Sequence, residues 1–169
     1  MTNTESLVRL AVDLGEVLRA RKWRVATAES CTGGGVAAAI TAVAGSSAWF
    51  EYGLVTYANV AKQHLLGVDN TTLATEGAVS ESVVRQMTAG ALALSGAEIA
   101  VAISGVAGPG GGSEEKPVGT VWFAWEIAKD MCVARCHHLQ GDRNEIQRQA
   151  VRIALEGLLE LAGETEKTE

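Results

Sequence analysis

Arg24-Val25-Ala26-Thr27-Ala28-Glu29-Ser30-Cys31-Thr32-Gly33-Gly34-Gly35-Val36-Ala37-Ala38-Ala39-Ile40 changes character twice. Residues 24–28 read as a short strand. A polar, glycine-rich turn follows, and residues 36–40 then open an apolar helix. Strand, turn and helix in that order form the basic unit of an open α/β sheet, and such sheets place ligands and chemistry at the turn beyond the strand's carboxyl end.

The neighbouring segments extend the pattern. A helix is expected from Glu5 to Arg21, with Leu7, Leu10, Ala11, Leu14, Val17 and Leu18 on one face and Thr2 and Glu5 at capping-box spacing. Tyr52 to Tyr57 reads as a second strand, with a short helix over 58–66 that stops at Gly67. Ser80 caps a further helix lined by Val84, Met87, Ala91 and Leu94. The run Ile99-Ala100-Val101-Ala102-Ile103 is a central strand, followed by a glycine-rich loop over 105–112. Two paired strands, 118–127 and 131–139, turn near Lys129-Asp130. A last helix opens at Asp142 with Glu145 three residues on and buries Ile146, Ala150, Ile153, Ala154, Leu158 and Leu161. This order specifies one domain: a three-layer α/β/α sandwich on a mixed sheet over 1–163, with a charged, frayed tail over 164–169.

Composition narrows the class. Apolar residues make up 47% and charged residues 20% of the 169, as in ordinary globular proteins. A net charge of −6 argues against a nucleic-acid binder, which needs clustered Lys and Arg. Met1 to Glu5 carry no basic stretch and no apolar stretch follows them, so no signal peptide is expected; no apolar run reaches membrane length, and three cysteines fit a reducing compartment. A cytoplasmic protein that engages neither membrane nor nucleic acid is expected. Trp49-Phe50 and the Trp122/Trp125 pair offer apolar surface for a homodimer to cover.

The turn holds two nucleophiles. N–H groups at the start of the following helix lack intrahelical partners, so those of Thr32 and Gly33 can hold an oxyanion formed beside Ser30. A helix cap accounts for Ser30 or Thr32 equally well. Cys31 competes, because the same dipole favours a thiolate. A Ser-His-Asp triad has little support: His64, His137 and His138 carry no motif, and the G-x-S-x-G elbow is absent. In Tyr57-Ala58-Asn59-Val60-Ala61-Lys62 a lysine follows a strand end. A lysine acts as base only when its pKa falls well below about 10.4, and Tyr57 can relay its proton.

Cys132 and Cys136 stand four residues apart on a strand, about 13 Å, too far for a disulfide. With His137 and His138 they make a poor metal set. The loop 105–112 lacks the ending of a P-loop, though its N–H groups can form an anion nest. Arg143, at a helix start, can meet a phosphate or carboxylate.

Six segments in series now resemble one family: Thr-Ala-Glu-Ser-Cys-Thr-Gly-Gly (27–34), Gly-Ser-Ser-Ala-Trp-Phe (45–50), Thr-Tyr-Ala-Asn-Val-Ala-Lys (56–62), Gly-Ala-Val-Ser (77–80), Ile-Ser-Gly-Val-Ala-Gly-Pro-Gly-Gly-Gly (103–112) and Lys-Pro-Val-Gly-Thr-Val (116–121). Their order and spacing are similar to those of the CinA C-terminal domain family, here in its stand-alone form. The resemblance implies hydrolysis of nicotinamide mononucleotide, a pyridine nucleotide, to nicotinate mononucleotide and ammonia, with no cofactor and no metal. It implies a catalytic set of Ser30, Tyr57 and Lys62. It also implies substrate contacts at Thr32, Gly33, Gly34, Ser46, Ser47, Ser104, Gly105 and a late arginine, Arg143, with Arg135 and Arg148 as rivals. The competing expectation is a non-catalytic nucleotide-binding or protein-interaction module.

Overall fold

Thr2 and Glu5 close the expected capping box: the Thr2 hydroxyl accepts from Glu5 N at 3.2 Å, and Thr2 N donates to the Glu5 carboxylate at 2.6 Å. That cap starts α1, Asn3–Arg21, in a computed structural model that describes residues 2–164. Then come β1 (Val25–Glu29), α2 (Gly35–Thr41), a 3₁₀ turn (Ser46–Ala48), β2 (Phe50–Val55), α3 (Asn59–Leu66), α4 (Asn70–Glu76), α5 (Glu81–Ser95), β3 (Ile99–Gly105), β4 (Thr120–Ile127), β5 (Met131–His138) and α6 (Arg143–Glu164). The sheet order is β2-β1-β3-β4-β5, parallel through the first three strands and antiparallel through the last two. The expected mixed sheet between helical layers is what forms.

The two faces of the sheet differ in bulk. One presents Val25, Ile99, Val101, Ile103, Val121, Phe123 and Trp125 to α1, α2 and α6. The other presents mainly alanines, Ala26, Ala28, Ala100, Ala102 and Ala124, to α5 and the short helices before it. Small side chains let α5 lie close, and Gly90 marks how close: a Cβ there would fall 2.6 Å from the Leu66 carbonyl carbon.

Chain direction creates the cleft that matters. After β1 the chain crosses to β2 through α2, on the α1/α6 face. After β2 it leaves for the opposite face through α3. Two adjacent parallel strands whose exits diverge leave a crevice at their carboxyl ends.

Several expectations shift. β1 takes in Glu29, which puts that side chain on the α2 face with Val25 and Thr27. No element was anticipated between Gly67 and Ser80, yet Asp69 caps α4 by accepting from Thr71 N at 3.1 Å. Its β-branched threonines and single buried residue, Leu73, hide the helical period. Two of the tryptophans expected at the surface are turned inward, while Phe50 and Trp122 are half-buried. Trp49 is fully buried beside Gly15, and Trp125 lies beside Gly157 with its indole N–H donating to Ala154 O at 2.9 Å. α6 runs past Gly163 to Glu164, and the tail expected to fray falls otherwise outside the described residues. No helix among the described residues is long and apolar enough to cross a membrane.

Candidate active site

β1 ends with Ser30 still in register, its N–H donating to Ile103 O at 3.0 Å. The chain then turns tightly: Gly33 N donates to Ser30 O and Gly35 N to Thr32 O, both at 3.0 Å. Gly34 is the N-cap of α2 with φ +97°, a conformation that L side chains rarely adopt. A glycine has no side chain with which to cap, and the Glu29 carboxylate does so from the strand. Its Oε1 accepts from Thr32 Oγ1 at 2.7 Å and Val36 N at 2.9 Å, and its Oε2 accepts from Ala37 N at 3.1 Å. Nothing in the spacing of the sequence announces this contact, because the helix start that it caps lies beyond the turn.

The oxyanion expectation changes accordingly. Gly33 N–H is engaged by Ser30 O, so it does not face a substrate. The N–H groups of Cys31 and Thr32 donate to no other residue among the described residues. Cys31 itself is almost fully buried, and burial pushes its thiol up to about 12, far from a ready thiolate.

Lys62 enters the cleft from the first turns of α3 and is 1% exposed. Its ammonium reaches Ser30 Oγ at 2.9 Å, Thr56 O at 2.7 Å and Tyr57 O at 3.1 Å. Burial lowers its pKa from 10.5 to about 8. The neutral amine needs donors for only two of these three contacts. With both carbonyls served, its lone pair faces the serine hydroxyl.

Lysine meets serine directly, while the Tyr57 phenol, 59% exposed, accepts from Arg143 Nη2 at 3.1 Å at the cleft mouth. Arg143 also donates from Nη1 to Gly108 O at 2.8 Å, tying the glycine-rich loop to the same mouth. Its rivals lie elsewhere. Arg135 pairs with Glu160 at 3.2 Å, and Arg148 lines a separate cleft beside Asn3 and Leu7.

The cleft holds about 240 Å³ and brings together Ser30, Tyr57, Lys62, Ser104, Gly105 and Arg143. Cys31 lines it as well, and Asn59, Ala78, Val79 and Ala107 are the four lining residues that the sequence did not single out. All but Ala107 and Asn59 of these four sit in the Gly-Ala-Val-Ser segment, and no spacing rule had singled any of them out. Thr32, Gly33 and Gly34 form the turn beside Ser30 without lining the cleft with side chains: the Thr32 hydroxyl is turned to Glu29 and Gly33 is exposed. Ser46 and Ser47 are not brought in: they precede β2 at the amino end of the sheet, where Trp49 O accepts from Val25 N at 2.8 Å. Ser30 is at the opposite end of β1. No histidine lines the cleft, the three cysteines are free, and no group of three metal-binding side chains is found among the described residues.

An α/β/α sandwich with a buried lysine held against a serine at a strand-to-turn junction defines the class. The chain belongs to the CinA C-terminal domain family, whose model matches residues 7–162. It is 55% identical over 158 residues to the nicotinamide-nucleotide amidohydrolase PncC of Escherichia coli strain K12, covering 94% of this chain and 95% of that protein. Among solved structures it is similar to a competence/damage-inducible protein from Agrobacterium tumefaciens, with a TM-score of 0.90, 44% identity and coverage of 95% and 96%. A CinA superfamily protein from Klebsiella pneumoniae 700603 superposes with a TM-score of 0.89, 43% identity and coverage of 97% and 99%.

Proposed function

We propose that this protein is a nicotinamide-nucleotide amidase that hydrolyses nicotinamide mononucleotide to nicotinate mononucleotide and ammonia through an acyl-enzyme on Ser30. The contact between Lys62 Nζ and Ser30 Oγ carries this reading. With a pKa of about 8, about a quarter of Lys62 is neutral at pH 7.5, against about one part in a thousand at 10.5. Burial thus raises the supply of competent base more than a hundredfold. The name of the Escherichia coli relative supports the substrate.

Neutral Lys62 takes the Ser30 proton as Oγ bonds to the carboxamide carbon. The carbonyl oxygen becomes an oxyanion facing the Cys31 and Thr32 N–H groups. Lys62 returns its proton to the amide nitrogen as the C–N bond breaks, so ammonia leaves and an ester remains on Ser30. Water then attacks the ester, losing its proton to Lys62, which passes it back to Ser30 as nicotinate mononucleotide departs. No step calls on a metal ion or organic cofactor. Arg143, with Tyr57 beside it, faces the nucleotide phosphate at the mouth.

Purified protein given nicotinamide mononucleotide is expected to release ammonia, and a peptide with acylated Ser30 should be trapped by acid quench. Wild-type protein that releases none would leave the alternative, a nucleotide-binding module.

A further inference from the structure

Glu29 is a fully buried carboxylate that the steps above do not use. Among the described residues it has no cationic partner. Its charge rests on three donors: the Thr32 hydroxyl, Val36 N–H and Ala37 N–H. Burying such a charge is costly unless every lone pair is met. Helices are usually capped locally by a Ser, Asp or Asn side chain, but φ +97° at position 34 disfavours any side chain there. Instead the N-cap is Gly34, and the cap reaches from the last residue of β1 across the turn to the first turn of α2. Ser30 and the N–H groups of Cys31 and Thr32, which donate to no other residue among the described residues, lie inside the loop closed by that bridge.

We infer that Glu29 is the positioning residue of this site: its carboxylate, through Thr32 and the start of α2, fixes the Ser30 hydroxyl and the Cys31 and Thr32 N–H groups in one geometry. The inference rests on the proposed amidase reading. A carboxylate is required because all three contacts are acceptor contacts. In Glu29→Gln one oxygen becomes an NH₂ group and must face a donor. Thr32→Val keeps side-chain volume and removes one of the three contacts. Thr32→Ser keeps the hydroxyl. Burial sets the Lys62 pKa, so these variants should leave the pH midpoint near 8 while lowering the rate.

The test compares wild type, Glu29→Gln, Thr32→Val, Thr32→Ser and Ser30→Ala. Ammonia release from nicotinamide mononucleotide gives kcat and KM, and fluorophosphonate labelling of Ser30, followed by intact mass, reports the nucleophile independently of substrate. Thr32→Val and Glu29→Gln should lower kcat and labelling rate about tenfold or more, with KM within about threefold, because misplaced oxyanion donors cost rate rather than binding. Thr32→Ser should recover most of the loss. Thermal melts normalise each rate to folded protein, and the Thr32 pair decides the matter if Glu29→Gln does not fold. Wild-type kcat and labelling in Thr32→Val, or a Thr32→Ser no better than Val, overturns the inference. If wild type labels at Ser30 and Thr32→Val slows that labelling, but no protein releases ammonia, the amidase reading fails and the positioning role stands.

Discussion

Replacing Lys62 with methionine separates catalysis from stability. The methionine side chain fills nearly the same buried space but offers neither a proton acceptor nor a charge. Holding the ammonium at a pKa of about 8 instead of 10.5 costs the fold on the order of 3 kcal/mol at neutral pH. The sign follows from proton binding. Below pH 8 both folded and unfolded states carry the proton, so the folded state bears the whole penalty. Between about pH 8 and 10.5 the unfolded chain still binds the proton that the folded chain has lost, and this group's penalty fades as pH rises. Methionine removes the penalty at pH 7, but it strips Thr56 O and Tyr57 O of their donor, which costs about 1–3 kcal/mol for each acceptor left dry. The two effects nearly offset, so the melting temperature at pH 7 should move by no more than about 10 °C, with 1 kcal/mol equal to roughly 2–4 °C at this size. Activity should instead fall about 10²–10⁴-fold, the usual contribution of a positioned general base. Wild-type kcat/KM should climb with pH to a plateau above pH 8, and the residual activity of the variant should lose that climb. Ammonia release measured from pH 6 to 10, beside calorimetric melts, reads both quantities. A folded Lys62→Met protein within tenfold of wild type, or one that keeps the rise through pH 8, refutes the base assignment.

Other substitutions sort the remaining roles. Ser30→Ala should abolish ammonia release while Cys31→Ala keeps activity within about threefold, because the Cys31 thiol is held protonated by burial; the reverse pattern in the same assay would transfer the nucleophile to Cys31. Tyr57→Phe should lower kcat less than about tenfold, whereas an obligatory proton relay would cost about 10²-fold or more. Arg143→Ala should raise KM about tenfold or more for the nucleotide, with a smaller effect on nicotinamide riboside, which lacks the phosphate. Gly90→Ala should destabilise by about 1–3 kcal/mol, read as a lower melting temperature, because its Cβ meets the Leu66 carbonyl where α5 packs on α3.

Local chemistry was enough for most of the elements. The Thr2–Glu5 box, the apolar stripe of α1, the buried run of β3 and the glycine stop at Gly67 each act within a few residues, so spacing alone reveals them. α4 escaped because its threonines mask the period. Trp49 and Trp125 were read as surface because nothing adjacent in sequence tells of the glycines that receive their rings.

By itself the sequence determined an alternating α/β chain, a serine-bearing turn after a strand, and a lysine after another strand. Hydrophobic period, caps and turn residues act over short range and are written locally. Whether Ser30 and Lys62 meet was decided only by tertiary structure, through the parallel pairing of β1 with β2 and the divergence of α2 and α3 to opposite faces. The same packing decided against Ser46 and Ser47, which the order of strands leaves at the far end of the sheet. It also decided the pKa of Lys62 and of Cys31, since both follow from burial. And it brought Glu29 to α2: a carboxylate that reads as an ordinary charged residue in the chain becomes, once β1 points it at the start of a helix, the clasp of the serine turn.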